Sequence, residues 1–232
     1  MFVHVGKTGG ESAYVAMRRL CHDAPTPVCN IWPVHNRPVN GIKELLGKKV
    51  LITVRDPIAR VISAFNFRHP IGGFPLEIGK RDWNKNEKQM YQCFDDVNEL
   101  AHAVRSECPC GRIAQTALLS LNDPVGHVGR GYRYYLQFPP QQLANVTFML
   151  LRLGHVARDL EHAARWVGVT FNLSHLPTIY TSWYPHRNRT FVNATGVAML
   201  SETLRLEYDL LDQLERHAVR WPEAERQSHG EI

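Results

Sequence analysis

A lysine set among glycines follows the first apolar run of the chain. Phe2 to Val5 is a short β-type run, and a helical stretch from Glu11 to about His22 comes after the loop. Free N–H groups at a helix start favour an anion, and glycines let the backbone approach it. The pattern predicts an anion-binding loop, with a glycine-rich turn and an exposed lysine as the alternative. The loop residues are Gly6, Lys7, Thr8, Gly9, Gly10, Glu11 and Ser12.

An arginine and a serine follow the strongest strand of the sequence. Lys49 to Val54 is apolar and β-branched, and Asp56 and Pro57 then open a helix as N-cap and first helical residue. Arg55 lies at the strand's carboxyl end and Ser63 comes about two helical turns later. We expect both to face one phosphate beside the first loop, because ligands bind at the carboxyl ends of parallel strands. The alternative is an ordinary surface ion pair between Arg55 and Asp56.

The order of the elements predicts the fold. Strand, loop and helix signals alternate along the chain, which indicates a parallel sheet with crossover helices. We expect one domain over residues 1–232 with a P-loop-like three-layer α/β fold, a central parallel sheet flanked by helices. Residues 69–92 are rich in glycine, proline and charge and are expected to form a surface insertion. Further strands are expected near 28–34 and 146–151, and helices at 95–105, 111–121, 155–167 and, as a single helix, 197–219.

The amino-acid composition and the distribution of charge limit which binding partners are expected. The chain of 232 residues has a formal charge of +5, and residues 1–68 hold 10 Lys and Arg against 4 Asp and Glu. Basic residues gathered around two tight loops suit a small polyanion, whereas nucleic-acid binders spread them among stacking aromatics. No apolar stretch approaches the roughly 20 residues of a membrane span, and the first residues lack a signal-peptide layout. We therefore expect no nucleic-acid partner and no membrane span.

The cysteines and the N-glycosylation sequons give information on the cellular compartment of the protein. The five cysteines are an odd number and lack the paired spacing of a zinc site, so they form two disulfides with one free thiol or are small buried hydrophobes. Sequons are more frequent than the roughly one expected by chance, which favours the Golgi lumen, whereas the absent targeting segment favours the cytoplasm. The four sequons begin at Asn145, Asn172, Asn188 and Asn193.

Taken together, the loop of residues 6–12 and the segment of residues 54–63 resemble the paired signature of sulfotransferases that use 3′-phosphoadenosine-5′-phosphosulfate (PAPS). The resemblance is strongest to the Golgi-type carbohydrate sulfotransferases, especially the heparan sulfate 2-O-sulfotransferase group, and extends more loosely to residues 131–136 and 145–168. It implies that the first loop holds the 5′-phosphosulfate and that the Arg-Asp-Pro segment with its serine holds the 3′-phosphate. It also implies PAPS as co-substrate, no metal requirement, and a hydroxyl acceptor on a carbohydrate.

Candidate catalytic roles follow from this resemblance. Lys7 is expected to stabilise the leaving oxygen. A sulfuryl group carries less negative charge than a phosphoryl group, so a lysine can do this without a divalent metal. His35, at the end of the second apolar run, is similar in position to the family's histidine base, although the second histidine of the usual His-x-His pair is missing. Glu11 is the rival base. Arg187 and Arg189 either close over the nucleotide or form an exposed basic loop.

Two other functions stay open on the sequence alone. One is a P-loop-like nucleotide kinase, and the other is a non-catalytic protein of sulfotransferase fold that binds a nucleotide or a glycan. The chain length and the missing second histidine favour the non-catalytic alternative.

Overall fold

A computed structural model describes residues 1–23, 31–69, 83–169 and 191–219. At its centre is strand β3 (Val50–Val54), in which all five residues are buried, as the continuous β-branched run predicts. It pairs in parallel with β1 (Phe2–Val3) on one side and with β4 (Phe148–Arg152) on the other, and β1 pairs in parallel with the edge strand β2 (Pro33–Val34). The strand order β2-β1-β3-β4 confirms the predicted parallel sheet.

Helices cover both faces of this sheet. Alternate strand residues point to opposite sides: Leu51 packs in one apolar cluster and Ile52 in another. The first cluster includes residues of α1 (Gly10–Asp23) and α7 (Val156–Val167), and the second includes residues of α6 (Tyr132–Tyr135) and α9 (Arg205–His217). The fold is therefore a three-layer α/β arrangement.

A third apolar cluster lies among the remaining helices, around the buried Phe65 and Leu100. Residues 85–93, the second part of the expected surface insertion, form a helix in this cluster with Met90 buried; residues 70–82 lie outside the described ranges. The helices of this group are α2 (Pro57–Arg68), α3 (Lys85–Cys93), α4 (Val97–Ala103), α5 (Pro109–Leu119) and α8 (Ala194–Thr203).

The expectation of a single C-terminal helix over residues 197–219 is wrong. The chain instead forms α8 and α9, which meet at Leu204. Leu200 packs with the helical cluster, whereas Leu210 packs with the sheet. The apolar stripe that looks continuous in the sequence packs into two different cores, and the helix is interrupted between them.

The cysteines form disulfides. Cys93 and Cys110 are bonded and join α3 to α5, Cys21 is also disulfide-bonded, and Cys108 is free and exposed. These states agree with the alternative of two disulfides and one free thiol. Within the described ranges, no helix combines the length and the apolar character needed to cross a bilayer.

Candidate anion-binding site

The carboxyl ends of the four parallel strands meet at one edge of the sheet, and both predicted loops lie there. The loop after β1 takes its shape from two threonine hydroxyls. The buried Thr8 hydroxyl donates to the carbonyl of Val5 (2.6 Å) and lies 2.5 Å from the hydroxyl of Thr53, which accepts from the N–H of Val5 (3.1 Å). The Thr8 side chain is therefore committed to the loop itself. Thr53, which fixes the loop to β3, has no motif that would have marked it in the sequence.

The loop backbone is tightly constrained. Lys7 has a φ of 67°, in the left-handed region that non-glycine residues rarely adopt, at a cost on the order of 1–3 kcal/mol. Gly9 has a φ of 78°, and a side chain there would begin 2.4 Å from Leu153. At Gly10 it would begin 2.0 Å from the ring of His4. The loop then leads into α1, whose first turn includes Glu11 and Ser12, and the N–H groups of a first helical turn point toward the helix start, where an anion can bind.

Lys7 is a largely buried cation at this edge. Its Nζ lies 3.5 Å from the centroid of the Phe67 ring, and no carboxylate in the described part of the chain forms an ion pair with it. Burial, and then the charge of Arg55, lower the pKa of Lys7 from 10.5 to about 8. A cation in this setting is stabilised by an anionic ligand, and strongly perturbed groups of this kind concentrate at functional sites.

Arg55 connects the two predicted loops. Its Nη1 donates to the carbonyl of Lys7 (3.2 Å), and its N–H donates to the hydroxyl of Tyr132 (2.7 Å), which in turn donates to the carbonyl of Arg55. Asp56 caps α2 through the N–H of Ala59 and also accepts from the hydroxyl of Tyr208. The structure therefore brings Arg55 and the Lys7 loop together, as the sequence predicts.

Ser63 lies half-buried in the second turn of α2. Arg187 and Arg189 lie outside the described residues.

His35 follows β2 at the same edge. Its Nδ1 lies 3.1 Å from the carbonyl of His4, an acceptor only, so Nδ1 carries a proton, and in the neutral imidazole the lone pair is then on Nε2. The ring stacks on that of His4 at 4.0 Å between centroids, and the hydroxyl of Tyr135 donates to the carbonyl of His35 (2.6 Å). Both contacts orient the ring so that Nε2 is the nitrogen that could accept a proton from a substrate. Glu11, the rival base, lies half-buried in the first turn of α1.

A further histidine, His127, belongs to this edge and was missed from the sequence. Its ring centroid is 5.8 Å from that of His35 and 5.6 Å from that of Phe67. It lies in a loop before α6, 92 positions after His35 in the chain, and no local spacing pattern connects the two. Only the glycines at 126 and 129 signal a tight loop there.

The charged side chains described at this edge of the sheet are mainly cations. Burial, followed by the charges of His35 and Lys7, lowers the pKa of His4 to about 3, and the same effects lower that of His127 well below its ordinary value. Both imidazoles are therefore neutral at pH 7, while Lys7 and Arg55 are charged. Arg130 adds a third cation near this edge, where its Nη1 donates to Oδ1 of Asn36 (3.4 Å), the residue after His35.

The geometry can thus bind an anion against Lys7 and Arg55 and offer a neutral imidazole to a neighbouring group. Among the described residues, no cluster of three or more His, Cys, Asp or Glu is arranged to hold a metal ion. Comparisons with protein-family models, curated proteins and solved structures return no match for this chain.

Proposed function

We propose that the chain is a PAPS-dependent sulfotransferase that transfers a sulfuryl group to a hydroxyl of a carbohydrate. The observation that carries the proposal is the environment of Lys7. This lysine is a largely buried cation in a strained loop, it has no ionic partner among the described residues, and Arg55 lies beside it. The resemblance of these two loops to the sulfotransferase signature supports PAPS as the anion. The tautomer of His35 supports transfer to a hydroxyl group.

In this mechanism the acceptor oxygen attacks sulfur in line with the bridging oxygen of the phosphosulfate. A bond forms between the acceptor oxygen and sulfur, and the bond from sulfur to the bridging oxygen breaks. Nε2 of His35 takes the hydroxyl proton, and Lys7 stabilises the charge that develops on the leaving phosphate oxygen. Arg55 and Ser63 hold the 3′-phosphate, and the first-turn N–H groups of α1 surround the 5′-phosphate.

Binding of the desulfated nucleotide, 3′-phosphoadenosine 5′-phosphate, tests the nucleotide half of the proposal. It should raise the Tm of the protein without added magnesium, because ligands that bind the folded state stabilise it. If ATP with Mg²⁺ raises the Tm and the bisphosphate nucleotide does not, a P-loop-like kinase replaces the sulfotransferase.

A variant series separates binding from chemistry. Lys7→Ala and Arg55→Ala should each weaken nucleotide binding, whereas His35→Ala should preserve binding and remove turnover. Lys88→Ala is the matched control, because it also deletes a lysine charge but at an exposed position of α3. Intact turnover in His35→Ala would exclude His35 as the base and leave Glu11 as the candidate.

The acceptor can be identified with radiolabelled PAPS. Transfer is measured to glycans, phenols and small alcohols, and incorporation into a glycan supports the carbohydrate acceptor. If the nucleotide binds and no acceptor is labelled, a non-catalytic nucleotide- or glycan-binding role replaces the enzyme.

A further inference from the structure

His127 is a partly buried imidazole whose ring nitrogens have no hydrogen-bond partner in the described residues. In the part of the chain that the structure describes, neither of its ring nitrogens forms a hydrogen bond, and Nδ1 is wholly buried. Most buried polar side-chain atoms in folded proteins are hydrogen-bonded, because an unpaired one costs stability. An exception at the edge that holds Lys7 and His35 calls for a functional explanation.

The position of His127 is fixed by a dedicated buried side chain. Arg60 is only 2% exposed, and its Nη1 donates to the carbonyl of His127 (2.8 Å) while its Nη2 donates to that of Val128 (2.9 Å). Gly6 supplies the room, since a side chain there would begin 3.0 Å from Nδ1 of His127. The imidazole is therefore held in place by its backbone, while its ring nitrogens are left without protein partners.

The ring faces the groups of the proposed reaction. Its ring centroid lies 5.8 Å from that of His35 and 5.6 Å from that of Phe67, and the same Phe67 ring carries Nζ of Lys7 on its face. Nε2 is the ring nitrogen that the protein does not bury. A buried N–H without an acceptor is costlier than a buried lone pair without a donor, so the proton is assigned to Nε2. His127 thus presents one N–H donor to the site.

We propose that His127 is a further catalytic residue, whose Nε2–H donates a hydrogen bond to a non-bridging oxygen of the sulfuryl group during transfer. The inference rests on the proposed function. The bonds made and broken are those given above, the acceptor proton goes to His35, and His127 neither gains nor loses a proton. Lys7 acts on the leaving oxygen and His35 on the attacking one, so His127 supplies the third contact, to the oxygens that neither of them reaches.

A set of three substitutions tests the role of Nε2. The amide nitrogen of a glutamine reaches approximately the position of Nε2, and that of an asparagine reaches approximately that of Nδ1. His127→Gln should therefore keep kcat within about tenfold of wild type, whereas His127→Asn and His127→Ala should lose a factor on the order of 10²–10³ in kcat. The affinity for 3′-phosphoadenosine 5′-phosphate, which lacks the sulfuryl group, should stay within about threefold in all three variants.

A measurement on protein with His127 intact covers the case in which these variants do not fold. His35→Ala labelled with ¹⁵N in its histidines is titrated with PAPS and separately with 3′-phosphoadenosine 5′-phosphate. The Nε2–H resonance of His127 should shift with PAPS and remain unchanged with the desulfated nucleotide.

Two results would overturn the inference alone. They are wild-type kcat in a folded His127→Ala variant, and equal shifts of the His127 resonance with both nucleotides. If neither nucleotide raises the Tm of the wild-type protein, the proposed function fails and the inference fails with it.

Discussion

Replacing Lys7 by methionine should stabilise the protein while removing its response to nucleotide. The pKa of Lys7 falls from 10.5 to about 8 on folding, mainly through burial. At about 1.4 kcal/mol per pKa unit, the charged side chain destabilises the folded state at pH 7 by about 3 kcal/mol. Its contact with the Phe67 ring offsets about 1 kcal/mol of this. Lys7→Met keeps the packing and the backbone conformation, so the free energy of unfolding should rise by about 2 kcal/mol.

The gain in stability from Lys7→Met should depend on pH. Because the pKa of Lys7 is lower in the folded than in the unfolded chain, its stability contribution is fully present above pH 10.5 and is lost as the pH falls through 8. The advantage of Lys7→Met should therefore be largest at or below pH 7 and should nearly vanish at pH 10. Urea unfolding followed by tryptophan fluorescence at both pH values measures it.

Lys88→Met is the control for Lys7→Met, and the outcomes below would contradict the prediction. Lys88→Met removes an exposed lysine of α3 and should change the free energy of unfolding by less than about 0.5 kcal/mol at either pH. A Lys7→Met variant that is less stable than wild type at pH 7, or equally favoured at pH 7 and pH 10, would show that Lys7 is not a buried unpaired cation. A Lys7→Met variant that still gains Tm with 3′-phosphoadenosine 5′-phosphate would remove Lys7 from the binding site.

Three further predictions concern stability and modification. The free energy of unfolding should fall by at least about 1.4 kcal/mol per pH unit between pH 6 and pH 5, because the pKa of His4 is lowered to about 3, that of His127 is also lowered, and the unfolded chain takes up both protons first; a flat urea-unfolding profile between pH 6.5 and 5 would contradict this. Replacing Cys93 and Cys110 together by serine should lower it by about 3 kcal/mol, since their bond closes a loop with a sequence separation of 17, and an unchanged urea midpoint would exclude a structural role. After secretory expression, peptide mass spectrometry should find glycan at the exposed Asn145 but not at Asn193, whose carboxamide caps α8 and contacts His102; glycan at Asn193 alone would reverse that assignment.

Local patterns in the sequence were enough to predict the sheet and the meeting of its two loops. The run before Arg55 is mostly apolar and β-branched, which favours a buried parallel strand. The Asp-Pro pair after it supplies an N-cap and a favoured first helical residue. Once the strands are parallel, their carboxyl ends must share an edge, so Arg55 and Lys7 come together without any long-range information. His35 follows from the same geometry, since β2 also ends there.

Long-range contacts explain what could not be predicted. Thr53 and His127 enter the site through contacts with residues 45 or more positions away, and nothing in their immediate neighbours marks them. The break at Leu204 is of the same kind, because the neighbouring residues include no glycine or proline and the apolar stripe continues across it. Only the two cores against which they pack decide where the stripe is divided.

The cations and the neutral imidazoles at this edge favour the binding of an anion. Burial, followed by the charges of His35 and Lys7, lowers the pKa values of His4 and His127, so that both rings are neutral at pH 7. A site of this kind stabilises incoming negative charge and lets a neutral imidazole accept a proton from an uncharged hydroxyl. In the proposed reaction, the anion bound against Lys7 would compensate the charge that His35 gains with that proton. The ligand would therefore supply the charge balance that the folded chain lacks.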